Sequence, residues 1–497
     1  MSKQKKVIIR KLATGVQGLD EVCGGGLPEY SFNIIGGSPG CGKTTLAHQI
    51  MFANATPEKP ALFFTILGEP AFKMLRYQQQ YDFFDHEKLK SCIRFINLSK
   101  LALEGDLDAV LNEIVKEVAA TSPGLVIVDS FRTMNWNAQS GNSSGELQAF
   151  VQKLALYLAS WQATTFLIAE YSDSEIQNHP IFTVADGLFW LYQKVERNSI
   201  VRKMQIMKLR GQASIPGIHT IRLNESGMQI FPRTFGLTNT ESHNPAPNRI
   251  SLGIPELDAL MGGGVHEGNS LIVSGPSGAG KSILGAYFIA EGLRVGEAGV
   301  IAVFEETPDS YLRHVSQIGI DLAGPRKDGR LQIIYLRPLD LSVDETLHEV
   351  AEAVKRVGAK RIVIDSLAGF EMALAPGFRF DFRESLYRMI RSLTKLGVTV
   401  LSTVETQEKF DSFGLSNYNI SFLSDSIIRL RYVSIRGRLR KLLAIVKMRG
   451  SEHSSEMYEY SISASGIKIE KPFKNYRGLI SGIPSPWDPT RGPDEEK

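Results

Sequence analysis

Gly37-Ser38-Pro39-Gly40-Cys41-Gly42-Lys43-Thr44, and again Gly275-Pro276-Ser277-Gly278-Ala279-Gly280-Lys281-Ser282, satisfy the pattern G-x-x-x-x-G-K-[ST] in full. Each copy follows a short apolar run and opens a helical segment, as Ser31 to Ile35 leads to Thr44 to Ala55. Glycines at this spacing let backbone N–H groups curl inward around phosphate oxygens, and the helix N-terminus adds partial positive charge beside them. Lys43 and Lys281 would reach the β and γ phosphates and so count as candidate catalytic groups, while Thr44 and Ser282 would donate a hydroxyl ligand to Mg²⁺. The expected nucleotide contacts extend to Thr45 and Ile283, and the expected ligands are ATP and Mg²⁺. A lone match could be a Gly-rich turn with an exposed lysine; two matches at equivalent places in a repeat argue against that.

The repeat runs through the whole chain. Thr14-Gly15-Val16-Gln17-Gly18-Leu19-Asp20 followed by Gly24-Gly25-Gly26 returns as Leu252-Gly253-Ile254-Pro255-Glu256-Leu257-Asp258 followed by Gly262-Gly263-Gly264. The run ending in Asp129-Ser130 returns as the run ending in Asp365-Ser366, and Lys208-Leu209-Arg210-Gly211 returns as Lys447-Met448-Arg449-Gly450. The offsets, 281−43=238, 365−129=236 and 449−210=239, are nearly constant, which marks a long-period duplication. We place one unit at residues 1–235, a linker rich in Asn, Ser, Thr and Pro at 236–248, a second unit at 249–475 and a poorly ordered tail at 476–497. Within each unit, short apolar runs such as Ala61 to Ile66 and Leu125 to Val128 alternate with segments of helical spacing such as Leu107 to Ala119 and Glu146 to Ser160. That alternation predicts an α/β fold: two tandem domains, each a mostly parallel sheet flanked by helices, with ligands at the carboxyl ends of the strands.

Asp129 and Asp365 each end an apolar run, where a carboxylate can hold the water shell of Mg²⁺. Phosphoryl transfer also needs a group to orient or deprotonate the attacking hydroxyl. In the second unit Val300 to Phe304 ends in Glu305-Glu306, two carboxylates at the mouth of the sheet, where like charge tends to raise one pKa. The first unit has Ile66-Leu67-Gly68-Glu69 there, so Glu69 is its candidate catalytic carboxylate by proximity alone. The stretch Phe72 to Tyr81 has the spacing of an amphipathic helix.

Composition narrows the classes. With 43% hydrophobic and 22% charged residues the chain can build full cores, and 56 Lys+Arg against 53 Asp+Glu leave a net charge of only +3, which makes a dedicated nucleic-acid binder an unfavoured reading. Three cysteines, Cys23, Cys41 and Cys92, show no metal-ligand spacing and no even disulfide framework, pointing to a reducing cytoplasm. No apolar stretch reaches the roughly 18 residues a membrane span needs.

Taken together these residues resemble the KaiC family of RecA-like ATPases. Besides the paired P-loops, the resemblance covers the GxxxLDxxxGGG lead-in, Glu305-Glu306, the strand-end Asp residues, both K-[LM]-R-G motifs, Ile435-Arg436-Gly437 and Tyr476-Arg477-Gly478-Leu479-Ile480-Ser481-Gly482. It implies a double-ring homohexamer with ATP at subunit interfaces, hydrolysis in the first ring, autokinase activity in the second, a regulatory or timing role, and KaiB-like or other signalling partners. It further implies that Lys208 and Arg210, and Lys447 and Arg449, reach a neighbouring subunit's nucleotide in trans. The family's phosphorylated Ser-Thr pair corresponds to Ser421-Phe422, leaving Ser421 as the acceptor, with Ser416, Ser424 and Ser426 as neighbouring alternatives. A RecA-type DNA-dependent ATPase and a nucleotide-gated scaffold with little turnover are the competing readings.

Overall fold

The computed structural model describes residues 9–66, 71–103, 106–130, 143–172, 180–196, 199–233, 248–336, 342–374, 382–406, 424–474, 476–479 and 484–486. The chain divides into two compact units, Met1–Arg233 and Thr234–Lys497. Both start with the same structural device. The Asp20 carboxylate accepts from the Thr14 amide at 2.8 Å, and Asp258 accepts from the Leu252 amide at the same distance. The backbone carbonyls of those two aspartates take the amides of Gly25 and Gly263 at 2.6 and 2.7 Å. The repeated LDxxxGGG motif is thus a folded turn, with its glycine triplets at positive φ where a Cβ would be strained.

In the first unit the main elements are β1 (Phe32–Gly37), α1 (Lys43–Asn54), β2 (Ala61–Thr65), β3 (Ile93–Asn97), α2 (Leu107–Thr121), β4 (Leu125–Asp129), α3 (Ser143–Ser160) and β5 (Thr164–Glu170). They continue with β6 (Gly187–Glu196), β7 (Ser199–Leu209), β8 (Ile218–Asn224) and β9 (Gly227–Phe231). The nine strands form one sheet in the order β9-β8-β7-β6-β1-β5-β4-β2-β3. It is parallel from β6 to β3 and antiparallel from β6 to β9. Alternate strand residues face opposite cores, as period-2 geometry requires. Ile35, Phe63 and Ile127 join Leu46 and Ile50 of α1 on one side, while Ile34, Leu62, Val126 and Val128 join Val110, Ile114 and Leu154 on the other. Both faces are covered, which explains the unbroken apolar runs of the parallel strands.

The second unit repeats the plan with β10 (Ser270–Gly275), α4 (Lys281–Arg294), β11 (Ala298–Val303), α5 (Pro308–Ser316), β12 (Leu331–Tyr335), α6 (Val343–Val357), β13 (Ala359–Asp365) and α7 (Phe382–Lys395). β14 (Thr399–Glu405), β15 (Ser426–Ile435), β16 (Arg438–Met448), β17 (Met457–Ser463) and β18 (Gly466–Pro472) complete it, in the order β12-β11-β13-β14-β10-β15-β16-β17-β18. The P-loop strands β1 and β10 therefore lie mid-sheet, each with its helix rising from the carboxyl edge. The stretch beginning at Phe72 does fall in a helix, Ala71–Gln78, which buries Met74. Beyond Pro472, Tyr476–Arg477 pairs with Ser485–Pro486, and Leu479 packs with Val433, Ile435 and Leu442. Apolar contact thus draws the start of the expected tail onto the sheet. Among the described residues no helix is long and apolar enough to cross a membrane.

Candidate functional site

At each P-loop the glycines adopt the conformations the pattern requires. Gly40 and Gly42 have φ of 78° and 100°, Gly278 and Gly280 of 72° and 99°, so the backbone turns amides toward one point before the helix begins. A Cβ on Gly42 would come within 2.7 Å of Met228, and one on Gly280 within 2.5 Å of Ile462. The lysines fold back over their own loops: Lys43 Nζ donates to the Ser38 carbonyl and Lys281 Nζ to the Pro276 carbonyl, both at 2.8 Å. Each is held ready beside the cradle by a bond that an incoming phosphate oxygen can replace.

The strand-end aspartates meet the P-loop hydroxyls. Thr44 Oγ1 donates to Asp129 Oδ2 at 2.8 Å, and Ser282 makes the corresponding side-chain bond to Asp365. A hydroxyl and a carboxylate oxygen this close can serve as neighbouring ligands of Mg²⁺, for which adjacent oxygens lie about 2.8–3.0 Å apart at metal–oxygen distances of about 2.0–2.1 Å. Among the described residues no group of three or more His, Cys, Asp or Glu converges as a metal cage. The donor set suits a cation that keeps waters and binds substrate phosphates. Burial raises the Asp129 carboxyl to about 6, with Glu170 adding to the rise and Thr44 and Lys43 opposing it. Asp365 is raised for the same main reason, against bonds from Ser282 and Thr403.

In the second unit a cleft of about 270 Å³ opens at this point, lined by the P-loop together with Glu305, Asp365, Ser366 and Glu405. The two neighbouring glutamates part company. Glu305 accepts from Ser366 Oγ and faces the cleft, whereas Glu306 turns to His314 Nδ1 at 2.9 Å on α5. Among the acids of the cleft, Glu305 acts on Asp365. Gly369 makes room for this arrangement, since a Cβ there would lie 2.9 Å from Glu305 Cγ. Lys281 is driven down by burial and drawn back up by Glu405, Asp365 and Glu305, so one cation answers three carboxylates.

Glu405 and its counterpart Glu170 were not singled out from the sequence. Each ends the strand beside the P-loop strand, Glu170 level with Gly37 and Glu405 level with Gly275. The repeat offset, 405−170=235, was the signal that could have found them. Ser366 is similar: it was visible as part of a repeated landmark but not as a partner for Glu305.

The two K-[LM]-R-G motifs lie elsewhere. Lys208 Nζ donates to the Thr183 carbonyl at 3.0 Å and Arg210 pairs with Asp186 at 3.1 Å. Lys447 Nζ donates to the Ser424 carbonyl at 2.7 Å and Arg449 pairs with Asp425 at 3.4 Å. Neither Lys447 nor Arg449 lines the P-loop cleft of their own unit. The same aspartates also accept from the amides that start the P-loop strands, Phe32 and Ser270, at 3.0 Å. Glu69, Ser416 and Ser421 lie outside the described residues. Ser424 and Ser426 are buried, at 0% and 4% exposure, which makes them poor phosphoacceptors compared with a serine open to solvent.

Comparison with known proteins agrees with this geometry. The family model described as "ATPase: KaiC" matches residues 12–234 and 250–474. The chain is 28% identical to the Circadian clock oscillator protein KaiC of Prochlorococcus marinus strain MIT 9313 over 487 residues, covering 96% of each chain. It is 28% identical to the Circadian clock oscillator protein KaiC 1 of Synechocystis sp. strain PCC 6803 over 492 residues, covering 96% of this chain and 92% of that one.

Proposed function

Because this chain belongs to the KaiC ATPase family, whose model spans both units, we propose that it is an ATP-driven regulatory protein whose second unit also phosphorylates itself on Ser421. The observation that carries this reading is the convergence of Lys281, Ser282, Glu305, Asp365 and Glu405 on one cleft. In the proposed step Glu305 takes the proton from the attacking hydroxyl, whose oxygen bonds to the γ phosphorus as the bond to ADP breaks. Lys281 and the loop amides hold the phosphates, and Asp365 with Ser282 would hold Mg²⁺, which neutralises phosphate charge when bound. With water in place of a serine hydroxyl, the same apparatus hydrolyses ATP.

Further parts of the proposal rest on the family. The chain assembles as a double-ring homohexamer, and Lys208, Arg210, Lys447 and Arg449 serve the nucleotide of a neighbouring subunit. The absence of Lys447 and Arg449 from the lining of the second unit's own P-loop cleft suits that role. A timing role is supported by the relatives' names as circadian clock oscillator proteins, while KaiB-like or other signalling partners and a cytoplasmic location are carried over from the family resemblance. The near-balanced net charge of +3 supports a protein partner over nucleic acid.

The test is intact and phosphopeptide mass spectrometry on wild type, Glu305→Gln and Ser421→Ala after incubation with Mg-ATP, with native mass measured in parallel. Phosphate on Ser421 that is absent from both variants while hexamers persist is the expected result. Wild type that hydrolyses ATP yet stays unmodified would remove the kinase step. For the first unit a second reading has specific support: Ile168 stands where Thr403 bonds Asp365, so its aspartate has lost one hydroxyl. A first unit that binds ATP mainly as a scaffold predicts that Lys281→Ala, more than Lys43→Ala, abolishes turnover.

A further inference from the structure

The edge of the first unit's sheet opposite its P-loop bears a cleft of about 240 Å³ at the strand starts. Among the described residues four non-glycine residues have positive φ, and three of them line this cleft: Tyr30 at 63°, Ser122 at 48° and Gln162 at 56°. The repeat makes their counterparts Gly268, Gly358 and Gly397, by offsets of 268−30=238, 358−122=236 and 397−162=235, and all three glycines are left-handed too, at 77°, 64° and 76°. Glycine is the unstrained choice for that backbone. The first unit keeps the backbone, accepts the strain and gains three side chains in one place. Strain gathered in this way is a mark of ligand clamps.

The second unit shows which chemistry the equivalent place accommodates. There Arg361, 2% exposed, donates from Nη1 to the carbonyls of Ser251 at 2.7 Å and Phe288 at 3.0 Å, and its Nε pairs with Glu297. A Cβ on Gly292 would meet Arg361 Cδ at 2.6 Å. In the first unit the counterparts of Arg361, Gly292 and Glu297 are Leu125, Asn54 and Lys59, and all three line the cleft. The Asn54 amide reaches the two equivalent carbonyls, Ala13 and Ile50, at 2.9 Å each. A short amide has taken over the bonds of the guanidinium without its arm. In the cleft lining, Glu29 keeps a buried Oε2 with no hydrogen-bond partner, and the residues Tyr30 and Trp161 are 37% and 40% exposed. Glu29 and Glu58 outweigh Lys59, leaving the lining net acidic.

We propose that this cleft binds a guanidinium or ammonium group on an alkyl arm, with Glu29 as its counter-charge and Trp161 and Tyr30 as its aromatic walls. A buried carboxylate oxygen without a donor calls for an N–H, and partly exposed rings favour a cation over a neutral group. The group can belong to a free metabolite or to an arginine side chain of a partner protein.

The experiment titrates the full chain, its P-loops filled with a Mg²⁺ complex of a non-hydrolysable ATP analogue, with agmatine and with a capped Gly-Arg-Gly peptide by calorimetry. Saturable binding of one probe per chain is expected, weakened at least about tenfold by Glu29→Gln and by Trp161→Ala. The double variant Tyr30→Gly/Gln162→Gly, which relieves backbone strain and so retains the fold, is also expected to lose binding. Agmatine binding assigns a free ligand; binding of the peptide alone assigns a partner's side chain. No saturable binding of either probe, or a loss smaller than about threefold in all three variants, overturns the proposal.

Discussion

The two units hold the phosphate cradle in common and differ in the groups that handle protons. Lys43 and Lys281 bond back to their loops at the same 2.8 Å, and Thr44 and Ser282 each meet a strand-end aspartate. Around that shared frame, the second unit has Thr403 bonded to Asp365 and Glu305 accepting from Ser366, whereas the first has Ile168 in place of Thr403 and Leu67-Gly68 in place of Glu305-Glu306. After duplication, binding geometry has been kept and the hydrogen-bonded surroundings of the acids have diverged.

The largest effect that could break this comparison lies at Glu305. In a Lys43→Ala background, which confines turnover to the second unit, Glu305→Gln should slow phosphoryl transfer about 10²–10⁴-fold with ATP affinity kept. Glu306→Gln, whose partner is His314, should stay within about threefold of wild type on the same scale of side-chain removal. Single-turnover kinetics separates the two. Equal losses would mean that both carboxylates serve the chemistry and that the observed divergence of the pair has no catalytic meaning.

That contrast also marks where the sequence was legible. The P-loops, the strand-end aspartates and the α/β order could be read because each is local: a glycine spacing, or an apolar run with a polar stop. The parting of Glu305 from Glu306 could not, because it depends on Ser366 and His314, which approach through the folded sheet and α5. Glu170 and Glu405 escaped for a related reason, since each is an ordinary strand end until the neighbouring strand brings it level with a P-loop glycine. The role of Asp186 and Asp425, tying the K-[LM]-R-G hairpins to the P-loop strands, is equally a product of pairing between distant segments.

Next in size is a difference in acid stability. α1 carries His48 where the second unit has Ala286, by the offset 286−48=238. His48 is fully buried and stacked on Phe63 at 4.6 Å, and burial drives its pKa to about 3. Its folded pKa lies below its unfolded value near 6.5, so the unfolded state binds the proton first, and stability is lost as pH falls from 6.5 toward 3. At pH 5 this amounts to about 2 kcal/mol, from roughly 1.4 kcal/mol per pH unit. Asp129 acts with the opposite sign between its unfolded value near 3.8 and about 6, because its folded form keeps a proton there. The clean measurement is therefore wild type against His48→Leu in denaturant melts from pH 7 to 5. A difference between the two that does not change with pH would show that His48 titrates alike in both states.

Asp129 supplies a prediction of about tenfold. Mg²⁺ binds the carboxylate, not the acid, so in a Lys281→Ala background the affinity of the first unit for Mg-ATP should hold above its pKa of about 6 and fall below it. From the plateau to pH 5 the expected loss is roughly tenfold, the limit set by one proton over one pH unit. Asp129→Asn should bind weakly at every pH, with the step gone. A step that persists in the variant would assign it to another group, Glu170 being the acid whose charge already reaches Asp129.

The smallest effect tests whether the strain in the first unit is real. Ser122 closes α2 at φ 48°, where Gly358 closes α6 at 64° with open space around its Cβ position. Relieving a left-handed side chain contributes about 1–2 kcal/mol, and the greater freedom of glycine in the unfolded chain takes back about 0.5–1. Ser122→Gly should therefore stabilise the first unit by up to about 1.5 kcal/mol, and Gly358→Ser should destabilise the second by a like amount. Because nothing lies within 4 Å of a Cβ at Gly358, a loss there reports backbone conformation and not a clash. Opposite signs for the two exchanges would establish that the first unit gave up stability to place its side chains, and a loss from both would mean that each turn is fitted to the residue it has and that Ser122 costs the first unit nothing.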